Sequence, residues 1–180
     1  ATNSAAADEG WLALGELRLR QAAASTNFAA LATNETLRAA GAAFDTLIER
    51  FPQSQLRGRA QLGRGWCLLA AGQTNGSVGA FTEAARLLAP GEDLATAKFK
   101  LADLQAQNGN LAGALGGYRE VDALGETVPV VRTNLVEQAL YQILRVAHEA
   151  GDGAAASEAM ERLLRDYPDG EFTGPGLLVF

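Results

Sequence analysis

The chain has 180 residues, 48% hydrophobic and 20% charged, with a net charge of −6 and a pI near 4.8. That balance excludes a disordered chain, and an acidic sequence without a Lys/Arg cluster is a poor partner for nucleic acid or an anionic membrane. The length suits one domain or a short repeat array. Cys67 is the only cysteine, so no internal disulfide forms, and its apolar neighbours predict burial as a small hydrophobe. No stretch approaches the roughly 20 apolar residues that span a bilayer, so no membrane insertion is expected. The first residue is Ala1, not Met, and the chain is expected to be processed or a piece of a longer protein, with any signal peptide outside it.

In chain order, "WLALGELRLRQAA" predicts a helix over about Asp8–Ala24. An enlarged connection carries Phe28 and Leu31, which are expected to pack down on the protein. Asn34 is the expected N-cap of a second helix ending near Phe51, so the first unit covers about 8–52. "RGWCLLAAGQTNGSVGAFTEAARLLAP" breaks at Gly72 and stops at Pro90, two helices in a unit over 57–90. Further helical pairs are predicted over 94–126 and 136–168. Residues 169–180 read as the start of a further unit or a tail. Gly174-Pro175-Gly176 argues against a good helix there. The apolar Leu177, Leu178, Val179 and Phe180 are expected to be covered, by the last hairpin around Met160 and Leu164 or by a second copy in a possible homodimer.

The pairs share one register. Phe44, Phe81, Tyr118 and Met160 recur at successive spacings of 37, 37 and 42. Gly65, Ala102 and Leu144 precede the last three of these anchors by 16, and Gly72, Gly109 and Gly151 precede them by nine. Ser77, Ala114 and Ala156 precede the anchors by four; Leu47, Ala84, Val121 and Leu163 follow by three. Pro52 and Pro168 both follow by eight, in "ERFPQS" and "RDYPDG". Small residues let two helices approach, glycine ends the first helix, and proline stops the second. Each unit is then a helical hairpin that must stack on its neighbours.

The series Gly65-Gly72-Ser77-Phe81-Ala84, Ala102-Gly109-Ala114-Tyr118-Val121 and Gly151-Ala156-Met160-Leu163-Pro168 resembles the tetratricopeptide repeat (TPR) family. Leu144 replaces the small residue and Met160 the aromatic in the last copy. Trp11-x-x-Leu14-Gly15 matches the opening of a TPR first helix, although Gly15 precedes Phe44 by 29, not 16. The resemblance implies an all-α fold, a superhelical solenoid of antiparallel hairpins in a single array over 1–180. The long Pro-Ser join "FPQSQLRGRA" resembles the TPR proteins of bacterial envelopes. It implies an exported, periplasmic protein, with a cytoplasmic one as the alternative.

Residues for catalysis do not cluster. His148 is the only histidine, and it stands too far along the chain from Cys67 to form a metal-ligand spacing. "GDG" at Gly151–Gly153 lacks the other ligands of a calcium loop. No phosphate-binding or nucleophile-elbow motif occurs. The expectation is therefore no enzyme, no cofactor and no metal.

Binding surface remains. The TPR resemblance places the first helix of each hairpin on the concave side. Carried over position by position, it makes Glu9, Leu12, Glu16 and Leu19 groove-facing in the first unit, and Arg59, Leu62, Trp66 and Leu69 in the second. In the third these are Thr96, Phe99, Asp103 and Ala106; in the fourth, Gln138, Tyr141, Arg145 and His148. Trp66, Phe99 and Tyr141 are the binding aromatics, framed by Arg59 and Arg145, since aromatic residues and Arg dominate interface hot spots. Trp66 is expected to be exposed, because Gly65 and Leu68 fill the core-facing slots beside it. For Phe99 and Tyr141, groove and helix–helix core both remain open. The implied role is a scaffold for a protein or peptide partner; the alternative is a purely structural repeat segment of a larger envelope protein.

Overall fold

The computed structural model describes residues 2–24 and 35–179, with side chains from residue 6 onward. Phe28, Leu31, Asn34 and Phe180 lie outside the described residues. All regular structure among the described residues is helical. In order the helices are α1 Thr2–Ala23, α2 Glu35–Arg50, α3 Arg57–Ala70, α4 Thr74–Leu87, α5 Glu92–Gln107 and α6 Leu111–Thr127. A single turn, α7 Pro129–Val131, runs through a π-helix Arg132–Val136 into α8 Glu137–Glu149, followed by α9 Gly153–Asp166 and α10 Thr173–Val179. The chain divides into two compact units, Ala1–Leu88 and Ala89–Phe180.

Three hairpin turns are built alike. Gly72, Gly109 and Gly151 have φ of 73°, 77° and 74°, the left-handed region where a side chain is strained. Gly72 N–H donates to the Leu69 carbonyl at 3.0 Å, and Gln73 N–H to that of Leu68 at 2.9 Å. The same pair of bonds recurs at Gly109–Asn110 and at Gly151–Asp152, satisfying carbonyls that a helix end leaves open. The residue after each glycine is the N-cap of the next helix. Asn110 and Asp152 accept from the N–H groups of Gly113 and Ala155, both at 3.1 Å, while Gln73 makes no such cap.

In the first unit the anchor aromatics press against glycine. A Cβ on Gly15 would sit 2.6 Å from Phe44 Cε1, and one on Gly63 closer still, so α1 and α3 grip the same ring. Gly65 stands likewise against Phe81, at 2.6 Å. Gly15 thus does the packing its TPR-like setting implies, despite the longer spacing to Phe44. The surrounding core includes Leu12, Leu37, Ala40, Leu47, Ala60 and Cys67.

In the second unit Tyr118 is buried and meets Phe99 edge-on, ring centroids 5.2 Å apart. Its hydroxyl donates to Asp103 Oδ1 at 2.7 Å, which gives a phenol in an apolar core the partner it needs. The last hairpin contains an insertion. Helix α5 begins at Glu92, and the position equivalent to it ahead of Leu144 is Asn134, yet the helical run to Leu144 already begins at Pro129. The five residues from Pro129 to Thr133 account for the excess of the last anchor spacing, 42 against 37, and the π-helix begins within them.

The C-terminal segment corrects the expectation of a poor helix and meets only in part the expectation that its apolar residues fold back on the last hairpin. Residues Thr173–Val179 form a helix in spite of Gly-Pro-Gly, because Pro175 lies in the first turn, where helical N–H groups have no partner to lose. Gly176 is buried, and a Cβ there would lie 3.2 Å from Leu144 Cδ2 and from Met160 Sδ. Val179 packs on the core, but Leu177 and Leu178 are 57% and 90% exposed, and Leu164 is exposed as well. The small residue at position 176, not the leucines after it, makes the contact.

Candidate functional site

A pocket of about 320 Å³ opens in the first unit. Leu19, Ala22 and Ala23 of α1, Leu37 of α2, and Trp66 and Ala70 of α3 line it. The indole N–H is the only polar side-chain group among these six. Three of the six lining side chains are alanine, which leaves space beside the indole. Trp66 forms one wall. It is half-buried, not fully exposed, since its ring meets Phe81 edge-on at 5.8 Å, with 86° between the planes. One side of the indole belongs to the core and another to the pocket.

Two pairs of carried-over positions meet between α1 and α3. Leu19 and Trp66 share the pocket, and Arg59 donates to Glu16 Oε1 at 2.7 Å on the same pair of helices, α1 and α3. Leu12 and Leu62 do not belong with them: both are buried, Leu62 with 8% exposure, and act as packing. Glu9 is exposed and Leu69 half-buried. Beside Trp66, burial pushes the Cys67 thiol up to about 12, with Asp45 adding to the effect. A thiol so placed is a packing group, not a nucleophile.

In the second unit Phe99 is core, at 2% exposure. Asp103 is engaged inward by Tyr118 and by Lys100, whose Nζ lies 2.8 Å from Oδ2. These two carried-over residues therefore hold the hairpin together. Thr96, Ala106 and Gln138 are half-buried. Tyr141 is half-buried beneath Phe172, 5.4 Å between centroids, and the Arg145 guanidinium lies 5.9 Å from the tyrosine ring. The Phe172 N–H donates to Glu137 at 2.6 Å, so the segment after α9 is tied to α8. His148 and Arg145 are exposed.

The pattern missed Ala22, Ala23, Leu37 and Ala70. Their signal was available as "QAAA" and "LLAA" at two helix ends, where small side chains beside a tryptophan leave room. Among the described residues no group of three or more His, Cys, Asp or Glu side chains could hold a metal ion, and no helix is long and apolar enough to cross a membrane. The pocket offers shape and apolar surface, which is the equipment of recognition.

No family model matches the chain, and no curated protein sequence matches it. The crystal structure of PilW, a widely conserved type IV pilus biogenesis factor, does match. The similarity covers 91% of this chain and 67% of that one, with a TM-score of 0.66 at 18% sequence identity. The fold is all-α and TPR-like. At that identity the likeness to PilW extends to the fold alone.

Proposed function

We propose that this protein is an interaction scaffold that binds a peptide or protein partner, with the Trp66 pocket receiving an apolar side chain. The pocket of about 320 Å³ beside a half-exposed indole carries the reading. Tryptophan in a pocket is the residue type most often found at binding hot spots. Leu19 lines the pocket with Trp66, and the Arg59–Glu16 pair lies on the same two helices. The TPR-like fold it shares with PilW supports a protein partner over a small-molecule reaction.

Selection of peptides from a random library by the intact chain tests this. Enriched peptides carry a large apolar residue, and Trp66→Ala weakens them by about tenfold or more, the range of an interface hot spot. Equal binding by Trp66→Ala removes the reading. The inward roles of Phe99 and Asp103 favour a structural role for the hairpin of α5 and α6. We propose a periplasmic location on the "FPQS" and "YPDG" joins; recovery of the native protein in the cytosolic fraction would overturn it.

A further inference from the structure

The second unit contains a cleft of about 260 Å³ where the ends of α6 and α9 meet the π-helix. Gly125 lets the backbone of the inserted stretch come close: Arg132 Cα would lie 3.4 Å from a Cβ there, and Val136 nearer. The Tyr167 hydroxyl donates to the Arg132 carbonyl at 3.1 Å, which fixes one end of the wide i→i+5 turn. The insertion thus positions Arg132 at the cleft.

Four of the other charges in the cleft are paired with one another. Arg162 donates to both oxygens of Asp122, through Nη2 at 2.9 Å and through a shorter Nη1 bond. Arg165 donates to both oxygens of Asp166, at 2.8 and 3.2 Å. The two aspartates are 15% and 22% exposed. Arg132 differs: it is exposed, and its guanidinium makes no hydrogen bond among the described residues. The Arg165 side chain is 66% exposed, with donors beyond those on Asp166. Solvent in this cleft therefore meets two guanidiniums and one exposed carboxylate, Glu126. A planar guanidinium with open donors matches the two oxygens of a carboxylate.

We propose that this cleft is a second binding site, which takes a carboxylate side chain of an acidic peptide between Arg132 and Arg165. It lies in the other unit from Trp66, with the opposite chemistry, so its failure leaves the Trp66 reading untouched.

The test follows the arginine Nε–H resonances of the intact chain during titration. The probes are N-acetyl-Asp-Glu-Asp-amide, its neutral isostere N-acetyl-Asn-Gln-Asn-amide, and inorganic phosphate. The acidic peptide produces saturable shifts at Arg132 and Arg165; the neutral peptide produces none. Arg132→Ala weakens binding at least tenfold with no change in melting temperature, because the Arg132 guanidinium makes no hydrogen bond among the described residues and its backbone bonds survive the substitution. Arg38→Ala, an equal loss of charge in the first unit, leaves binding as it was. Glu126→Gln tightens it about threefold by removing one repulsive charge. Equal weakening by Arg38→Ala and Arg132→Ala reduces the effect to net charge and overturns the proposal. So does binding of the neutral peptide, or saturable binding of phosphate without the acidic peptide.

Discussion

Gly65 and Gly79 lie on the two helices of one hairpin, α3 and α4, and differ in role. A methyl group on Gly65 would press into the Phe81 ring, whereas nothing lies within 4 Å of a Cβ on Gly79. Gly65→Ala is expected to cost about 1–3 kcal/mol through overpacking. Gly79→Ala is expected to gain about 0.5–1 kcal/mol by restricting the unfolded chain. Urea denaturation of the two variants checks both signs. Tyr118 adds a pH dependence. Burial first, then its bond to Asp103, raises its phenol above the ordinary 10.0. The folded state thus prefers the protonated ring, so this contribution is intact below pH 10 and is lost as pH climbs beyond it. Tyr118→Phe removes that alkaline loss, and costs about 0.5–1.5 kcal/mol at neutral pH from the missing hydrogen bond. The constant offset between small residue and anchor made the glycine–aromatic contacts legible, because it fixes which turns face each other. It could not decide between groove and core for Phe99. Trp66 and Phe99 both fall on the carried-over face of a first helix, Trp66 15 residues before its anchor and Phe99 19 before its own, and what differs is how far the neighbours reach: alanines open a pocket beside one, and Tyr118 closes over the other.

At the level of elements, the three matching turns allow a direct comparison. Gln73, Asn110 and Asp152 have nearly the same backbone, with φ, ψ of −88°, 66°; −81°, 71°; and −86°, 78°. Only the shorter two side chains bend back to the next helix. Gln73→Asp is expected to supply the missing cap and raise stability by about 0.5–2 kcal/mol, while Asp152→Ala loses a similar amount. Thermal melts of both variants measure this. Helix order and turn positions were readable because glycine and proline act locally. The helix at 173–179 was not, since proline reads as a breaker unless its place in the first turn is known. The insertion before Leu144 was visible as a lengthened spacing, but its form was not: a π-helix depends on what packs against it, here Gly125 and Tyr167.

For the whole molecule, the division into Ala1–Leu88 and Ala89–Phe180 sets how stability is distributed. The core around Phe44 draws only on residues before the boundary, and the core around Tyr118 only on residues after it. Residues 89–180 alone are therefore expected to stay helical and to melt cooperatively, as followed by circular dichroism. A featureless, non-cooperative melt of that piece would show that its core is not self-sufficient.

The same boundary sorts the chromophores. Both tryptophans, Trp11 and Trp66, fall before it, and all three tyrosines, Tyr118, Tyr141 and Tyr167, fall after it. Indole emission excited at the red edge of the absorption band therefore watches one half of the protein, and phenol absorbance watches the other, with no label attached. A lesion confined to the second half, such as Gly109→Ala at its left-handed turn, moves the phenol transition directly. How far the indole transition follows is a label-free reading of how strongly the folding of one half depends on the other.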